Sequence, residues 1–185
     1  MPGSHWMMTV TPENFALSRA MGLTMLGVRA RHRKKAERMA PGDRVLFYVL
    51  GDRLFPASAT VTSGYFEDRH VLWVNPERKD DPFPYRVHIR PTFLLEPWEG
   101  LDATALAPRL LYVKRWPSEH WYLALQGDVH LLSAQDFQLV EREMDRVVQT
   151  RGRRTEQPPR RPANWNALAL PRLPGLDDAH NVDPR

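Results

Sequence analysis

Residues 25–49 read MLGVRARHRKKAERMAPGDRVLFYV. The closing run Val45-Leu46-Phe47-Tyr48-Val49 is rich in β-branched and aromatic side chains, and its unbroken apolar character fits a buried strand. Just before it, Pro41-Gly42-Asp43 is a turn signal, because proline presets one backbone angle and glycine tolerates the next. Upstream lie Arg29, Arg31, His32, Arg33, Lys34, Lys35 and Arg38, with Glu37 as the single acid among them. Cations held beside a core strand can present charge to a polyanion. Charge alone also fits a solvated basic helix.

Working outward, Trp6 to Val10 has the length of a strand, and Thr11-Pro12-Glu13-Asn14 opens a helix. Thr11 can cap the free amides, Pro12 sits where its missing N–H costs nothing, and Glu13 meets the positive dipole end. Gly22 is the expected stop. Residues 23–28 read as a buried connector and 31–39 as a second short helix. Beyond the strand at 44–50, Gly51-Asp52 signals a hairpin returning over 55–62. Val71 to Val74 reads as a short strand, followed by a proline-rich loop over 75–84. Tyr85 to Arg90 alternates with period two, which puts Tyr85, Val87 and Ile89 inward and Arg86, His88 and Arg90 outward. Residues 101–111 suggest a helix, 121–125 a strand or a helix start, and 129–132 a strand. Ser133 and Asp136 fit a reciprocal cap on a helix whose Phe137, Val140, Met144 and Val147 share one face.

The chain has 185 residues, 42% of them hydrophobic, and a net charge of +4, which suits one core-bearing domain. Phosphate attraction is permitted by that charge but not demanded. There is no cysteine, so disulfides, thiol catalysis and cysteine-based zinc sites are excluded. No membrane span or secretory signal is readable, and a cytoplasmic location is expected. After about Gln149 the sequence turns to Arg and Pro, so residues 1–149 are expected to be the domain and 150–185 an extended tail.

The seven histidines are scattered, and no metal or other cofactor is expected. Phosphate-binding glycine loops, serine nucleophile elbows and convincing acid pairs are missing too, so no catalysis is expected. Core packing suits each of Trp6, Trp73, Trp98, Trp116 and Trp121. Trp73 stands out because it precedes the proline-rich loop, where an indole could wall a pocket; stacking a base on an aromatic is worth about 1–3 kcal/mol.

Trp6 on a strand, Thr11-Pro12-Glu13-Asn14, Gly27-Val28-Arg29, the basic stretch, Pro41-Gly42-Asp43 with 45–49, Pro84-Tyr85-Arg86-Val87 and WPSEHWYLALQGDVHLLSAQDF follow one another. Taken together and in this order they resemble the EVE domain, a PUA-like relative of the YTH domain, over roughly Trp6 to Met144. The resemblance implies an α+β fold: a PUA-like bent β-barrel surrounded by short helices, with the Pro/Arg-rich tail outside it. It also implies a partner, namely DNA or RNA carrying a modified base, with methylated DNA favoured and RNA of the YTH type as the alternative. A small enzyme acting on a nucleotide or modified base is a rival, to be told apart by an acid or nucleophile at the pocket floor. An adaptor taking a peptide is another, to be told apart by salt-insensitive binding. Carried over by motif, the modified-base pocket is Asn14, Met25, Leu26, Gly27, Val28 and Trp73, and the backbone contacts are Arg29, Arg31, His32, Arg33 and Lys34. Where relatives commonly carry Trp before the Gly-Val step, this chain has Met25 and Leu26. Methionine offers polarisable sulfur rather than a rigid stacking wall.

Overall fold

The structure, a computed structural model, describes residues 3–75 and 82–153. Of the expected tail over 150–185, residues 150–153 instead continue the last helix; 154 onward and residues 76–81 of the proline-rich loop lie outside the described residues. The strands are β1 (His5–Val10), β2 (Met25–Val28), β3 (Arg44–Val49), β4 (Leu54–Val61), β5 (Phe66–Glu67), β6 (Tyr85–Leu94), β7 (Leu101–Asp102) and β8 (Val129–Leu132). The α-helices are α1 (Pro12–Ala20), α2 (Arg33–Ala36), α3 (Ala103–Leu106) and α4 (Ala134–Arg153).

Strand β3 sits in the middle of one curled sheet of order β2-β6-β4-β3-β1-β8, with β5 added on β6 and β7 on β4. Its neighbours are β1, parallel, and β4, antiparallel across the hairpin. Because side chains alternate across a strand, Val45, Phe47 and Val49 enter one core and Leu46 and Tyr48 the other. Strand β1 divides in the same way, with Trp6 and Met8 on one side and Met7 on the other. The concave core also takes Leu26, Val28, Val87, Ile89 and Phe15, while Phe137, Val140 and Met144 of α4 cover the opposite face. An unbroken apolar strand is what such double burial requires. The turn before β3 is fixed by the buried Asp43, whose carboxylate accepts the Trp6 indole N–H at 2.8 Å and the Ser4 amide at 2.7 Å.

The bend lies in β6. Its first residues pair with β2 on one side and β5 on the other, whereas Ile89 to Leu94 run along β4, whose register shifts between Ser58 and Ala59. Such a shift increases local twist and curls the sheet into a half-barrel, where the resemblance implied a bent β-barrel.

Several local expectations are corrected. The basic stretch forms a 3₁₀ turn (Ala30–His32) and the four-residue α2 rather than one helix. Residues 101–111 break into β7, α3 and a 3₁₀ turn at Ala107–Arg109. Of the two readings left open for 121–125, the helical one holds, as a 3₁₀ helix over Ser118–Leu125. Residues 71–74 form no strand: Val71 and Val74 are exposed while Trp73 is buried. The Asp136 N–H donates to Ser133 Oγ at 3.1 Å, but the Asp136 carboxylate accepts the amides of Leu111 and Tyr112, each at 2.8 Å, so the cap is one-sided. Arg86 is fully buried rather than solvent-facing, for reasons that belong to the site.

Among the described residues no helix is long and apolar enough to cross a membrane, and no cluster of three or more His, Asp or Glu could hold a metal ion. One histidine ties stability to pH. Burial, reinforced by Lys35, pushes His130 down to about 4, with Asp128 opposing. Folded His130 is therefore neutral where the unfolded chain, with an ordinary pKa near 6.5, takes up a proton. Its contribution is complete above about pH 6.5 and is lost as pH falls toward about 4, amounting to about 2–3 kcal/mol. Urea melts at several pH values should show His130→Gln flattening this part of the acid slope; an unchanged slope would place the titration elsewhere.

Candidate functional site

The start of α1 organises the site. Thr11 caps the helix by accepting the Asn14 N–H at 3.3 Å, which leaves the Asn14 side chain pointing out of the first turn. That amide grips the main chain of Val74: Nδ2 donates to the carbonyl at 2.8 Å and Oδ1 accepts the N–H at 2.9 Å. One turn later, Ser18 Oγ accepts the Trp73 indole N–H at 2.8 Å and donates to the Asn14 carbonyl at 3.0 Å. A segment with no strand partner is thus pinned by α1, and Trp73 is left only 4% exposed.

Arg86 holds the same loop from the sheet side. Its fully buried guanidinium lies 5.4 Å from the indole centroid. It donates to Asp68 Oδ2 at 2.5 Å, to the Phe83 carbonyl at 3.3 Å and to the His70 carbonyl. An arginine on an alternating strand reads as solvent-facing. Here a carboxylate, two carbonyls and an aromatic face replace its water. Opposite Arg86 on β2 is Gly27, where a Cβ would lie 2.5 Å from the Trp73 ring and 2.9 Å from Phe83 Cβ. Only a residue without a side chain lets the two aromatics come so close. Their rings meet edge to face at 6.1 Å.

These elements enclose a cavity of about 340 Å³, within the range of small-molecule sites. It is bordered by Met8 to Thr11, Asn14, Ser18, Leu26, Gly27, Trp73, Phe83, Arg29, Arg31 and the turn at 126–128. The structure therefore brings together Asn14, Leu26, Gly27, Trp73, Arg29 and Arg31 from the expected set. Met25, half-buried opposite His88, and Val28, buried in the concave core, do not border it. Arg33 and Lys34 are exposed on α2; Arg33 pairs with Glu37 at 2.7 Å and lies over Tyr85.

Asp128 binds the cations at the cavity edge. Its Oδ2 lies 2.7 Å from Arg31 and 2.9 Å from His32, and Oδ1 lies 3.6 Å from Arg29. Burial lowers the His32 pKa although Asp128 beside it works the other way. Arg29 also lies 5.4 Å from the Phe83 ring centroid. The result is a rim where guanidinium groups share the Asp128 carboxylate.

A family model of the EVE domain matches residues 4–119. The chain belongs to the EVE domain family. The fold of this EVE domain also matches solved structures at low identity. The YTH domain-containing protein mmi1 in complex with RNA has a TM-score of 0.59 at 12% identity, covering 82% of this chain and 87% of that one. A hypothetical protein from Leishmania major gives 0.53 at 17% identity, covering 78% and 96%. At such identities the likeness is one of fold, and it agrees with the PUA-like, YTH-related architecture. No curated protein matches the sequence.

Sequence reasoning missed Phe83, Arg86, Ser18 and Asp128 of this EVE domain. Phe83 sits between two prolines, which reads only as loop. Ser18 lies one helical turn after Asn14, a spacing that could have marked it as a neighbour on the same face. Asp128 follows Gln126-Gly127, which reads as a turn, and it lies outside the matched residues 4–119.

Proposed function

We propose that the protein is a binding module for nucleic acid, DNA in the first instance, that receives a methylated or otherwise modified base extruded into the cavity. The observation that carries this reading is a cavity of about 340 Å³ with two aromatic walls and arginines on its rim. Extrusion costs a few kcal/mol, which base contacts and phosphate contacts must offset. The pocket supplies discrimination, and Arg29, Arg31 and the outlying Arg33 and Lys34 supply a salt-dependent phosphate term. Asn14 acts by fixing Trp73 rather than by reaching the base, since both ends of its amide are engaged by Val74.

Binding is favoured over catalysis by the state of the hydroxyls around the cavity. Ser18 is engaged by Trp73 and Asn14, and Thr9 donates to the Leu125 carbonyl at 2.8 Å. Asp128, the acid in the lining, is paired with cations rather than poised beside a nucleophile. RNA is the second reading, prompted by the mmi1 neighbour, whose structure is a complex with RNA.

The decisive experiment is a binding screen over short DNAs and RNAs with and without methylated bases. A preference for one modified strand is expected; equal affinity for all would sink the pocket reading. Replacing Arg33 and Lys34 by Glu should weaken modified and unmodified strands by a similar factor and flatten the salt dependence. Unchanged affinity would mean that this face is merely solvated.

A further inference from the structure

Asp128 is the one carboxylate bordering the cavity among the described residues. Its place is rigid: the main-chain carbonyl of Asp128 accepts the Thr9 N–H at 2.9 Å, and the next residue, Val129, pairs with Met8. The two carboxylate oxygens are in different situations. Oδ2 takes the Arg31 Nε hydrogen bond at 2.9 Å and lies beside His32. Oδ1 has Arg29 Nη1 at 3.6 Å, beyond hydrogen-bond reach, and so keeps acceptor capacity. Three other polar side chains of the lining are committed elsewhere, Asn14 to Val74, Ser18 to Trp73 and Asn14, and Thr9 to Leu125, while Thr11 accepts the Asn14 N–H. Arg29 and Arg31 add donors next to the carboxylate.

An acceptor flanked by donors complements a base edge that presents an amino group beside ring acceptors, as cytosine and adenine do. A keto group in the same place would set oxygen against carboxylate, which is repulsive as well as unbonded. We propose that Asp128 is the specificity-determining residue of the cavity, selecting amino-bearing bases over keto bases through Oδ1. The assignment rests on the base-binding reading above.

Methylated cytosine and thymine share the ring methyl and differ at the amino or keto group and at the adjoining ring nitrogen, an acceptor in the first and an N–H donor in the second, so two otherwise identical strands compare the two base edges directly. The wild-type protein should bind the methylcytosine strand about tenfold or more tightly than the thymine strand. Asp128→Asn, of the same shape but able to donate as well as accept, should bring that ratio to within about threefold. A thermal melt checks that the variant is folded. Should it fail to fold, the wild-type ratio decides alone, with adenine against hypoxanthine as a second amino and keto pair. No amino preference in either pair overturns the proposal. An Asp128→Asn protein that loses affinity equally for both strands also overturns it, because Asp128 is then a counter-ion for Arg29 and Arg31 only. A protein that prefers methylated strands yet ignores amino against keto refutes the role of Asp128 and leaves the cavity reading standing. One with no preference for any modified strand refutes the cavity reading itself.

Discussion

Gly27→Val should destroy the preference for a modified strand and lower stability by about 1–3 kcal/mol, the range for overpacking a well-filled core. Valine suits a strand better than glycine, by up to about 1 kcal/mol, so β2 itself gains from the change. The loss must come from the side chain. A Cβ at this position would lie 2.5 Å from the Trp73 ring and 2.9 Å from Phe83 Cβ, and valine adds two methyl groups. Trp73 cannot simply retreat, since Ser18 holds its N–H and Arg86 lies over its ring. The aromatic walls would have to part or the cavity to fill. Urea melts together with both affinities, for modified and unmodified strands, would test this. A Gly27→Val protein that keeps the wild-type ratio of the two affinities would show that the base binds away from Trp73 and Phe83.

The frame of the molecule could be read from its strands because their patterns are local. The run 45–49 is apolar throughout, and double burial between two cores is the arrangement that such a run demands. Thr11-Pro12 and Gly22 bracket α1 by backbone chemistry alone, and Gly22 adopts the expected left-handed conformation at φ 74°. The site was less legible because tertiary contacts decide it. Arg86 obeys the alternation of β6, pointing away from Val87 and Ile89, but that side is roofed by Trp73 and by Asp68, His70 and Phe83 rather than by water. Period two says which residues share a face, never what covers the face. The same limit explains 71–74: β-branched content suggested a strand, whereas Asn14, sixty residues earlier in the chain, supplies the hydrogen bonds a neighbouring strand would have given. Cation density found Arg29 and Arg31, but not Asp128, an acid 97 residues from Arg31 that pairs with both.

Trp73→Ala should both cost stability and abolish the preference for a modified base. The indole is 4% exposed, so its removal falls in the range of about 3–5 kcal/mol for truncating a buried tryptophan. It also borders the cavity, and loss of a stacking surface removes about 1–3 kcal/mol of base binding. The alanine variant therefore mixes two effects, and Trp73→Phe separates them. Phenylalanine keeps an aromatic ring for the base and for Arg86 while dropping the indole N–H. Ser18 Oγ is left with its bond to the Asn14 carbonyl, so no buried donor is orphaned and the stability loss should be modest, about 1–2 kcal/mol. If Trp73 stacks on the ligand, Trp73→Phe should retain most of the discrimination, and Trp73→Ala, assayed at a temperature where it is folded, should retain none. An unmodified strand, held by phosphates alone, should bind all three proteins about equally. A folded Trp73→Ala protein with the wild-type preference would make the indole a core residue that only borders the cavity, leaving Phe83 as the aromatic to test in its place.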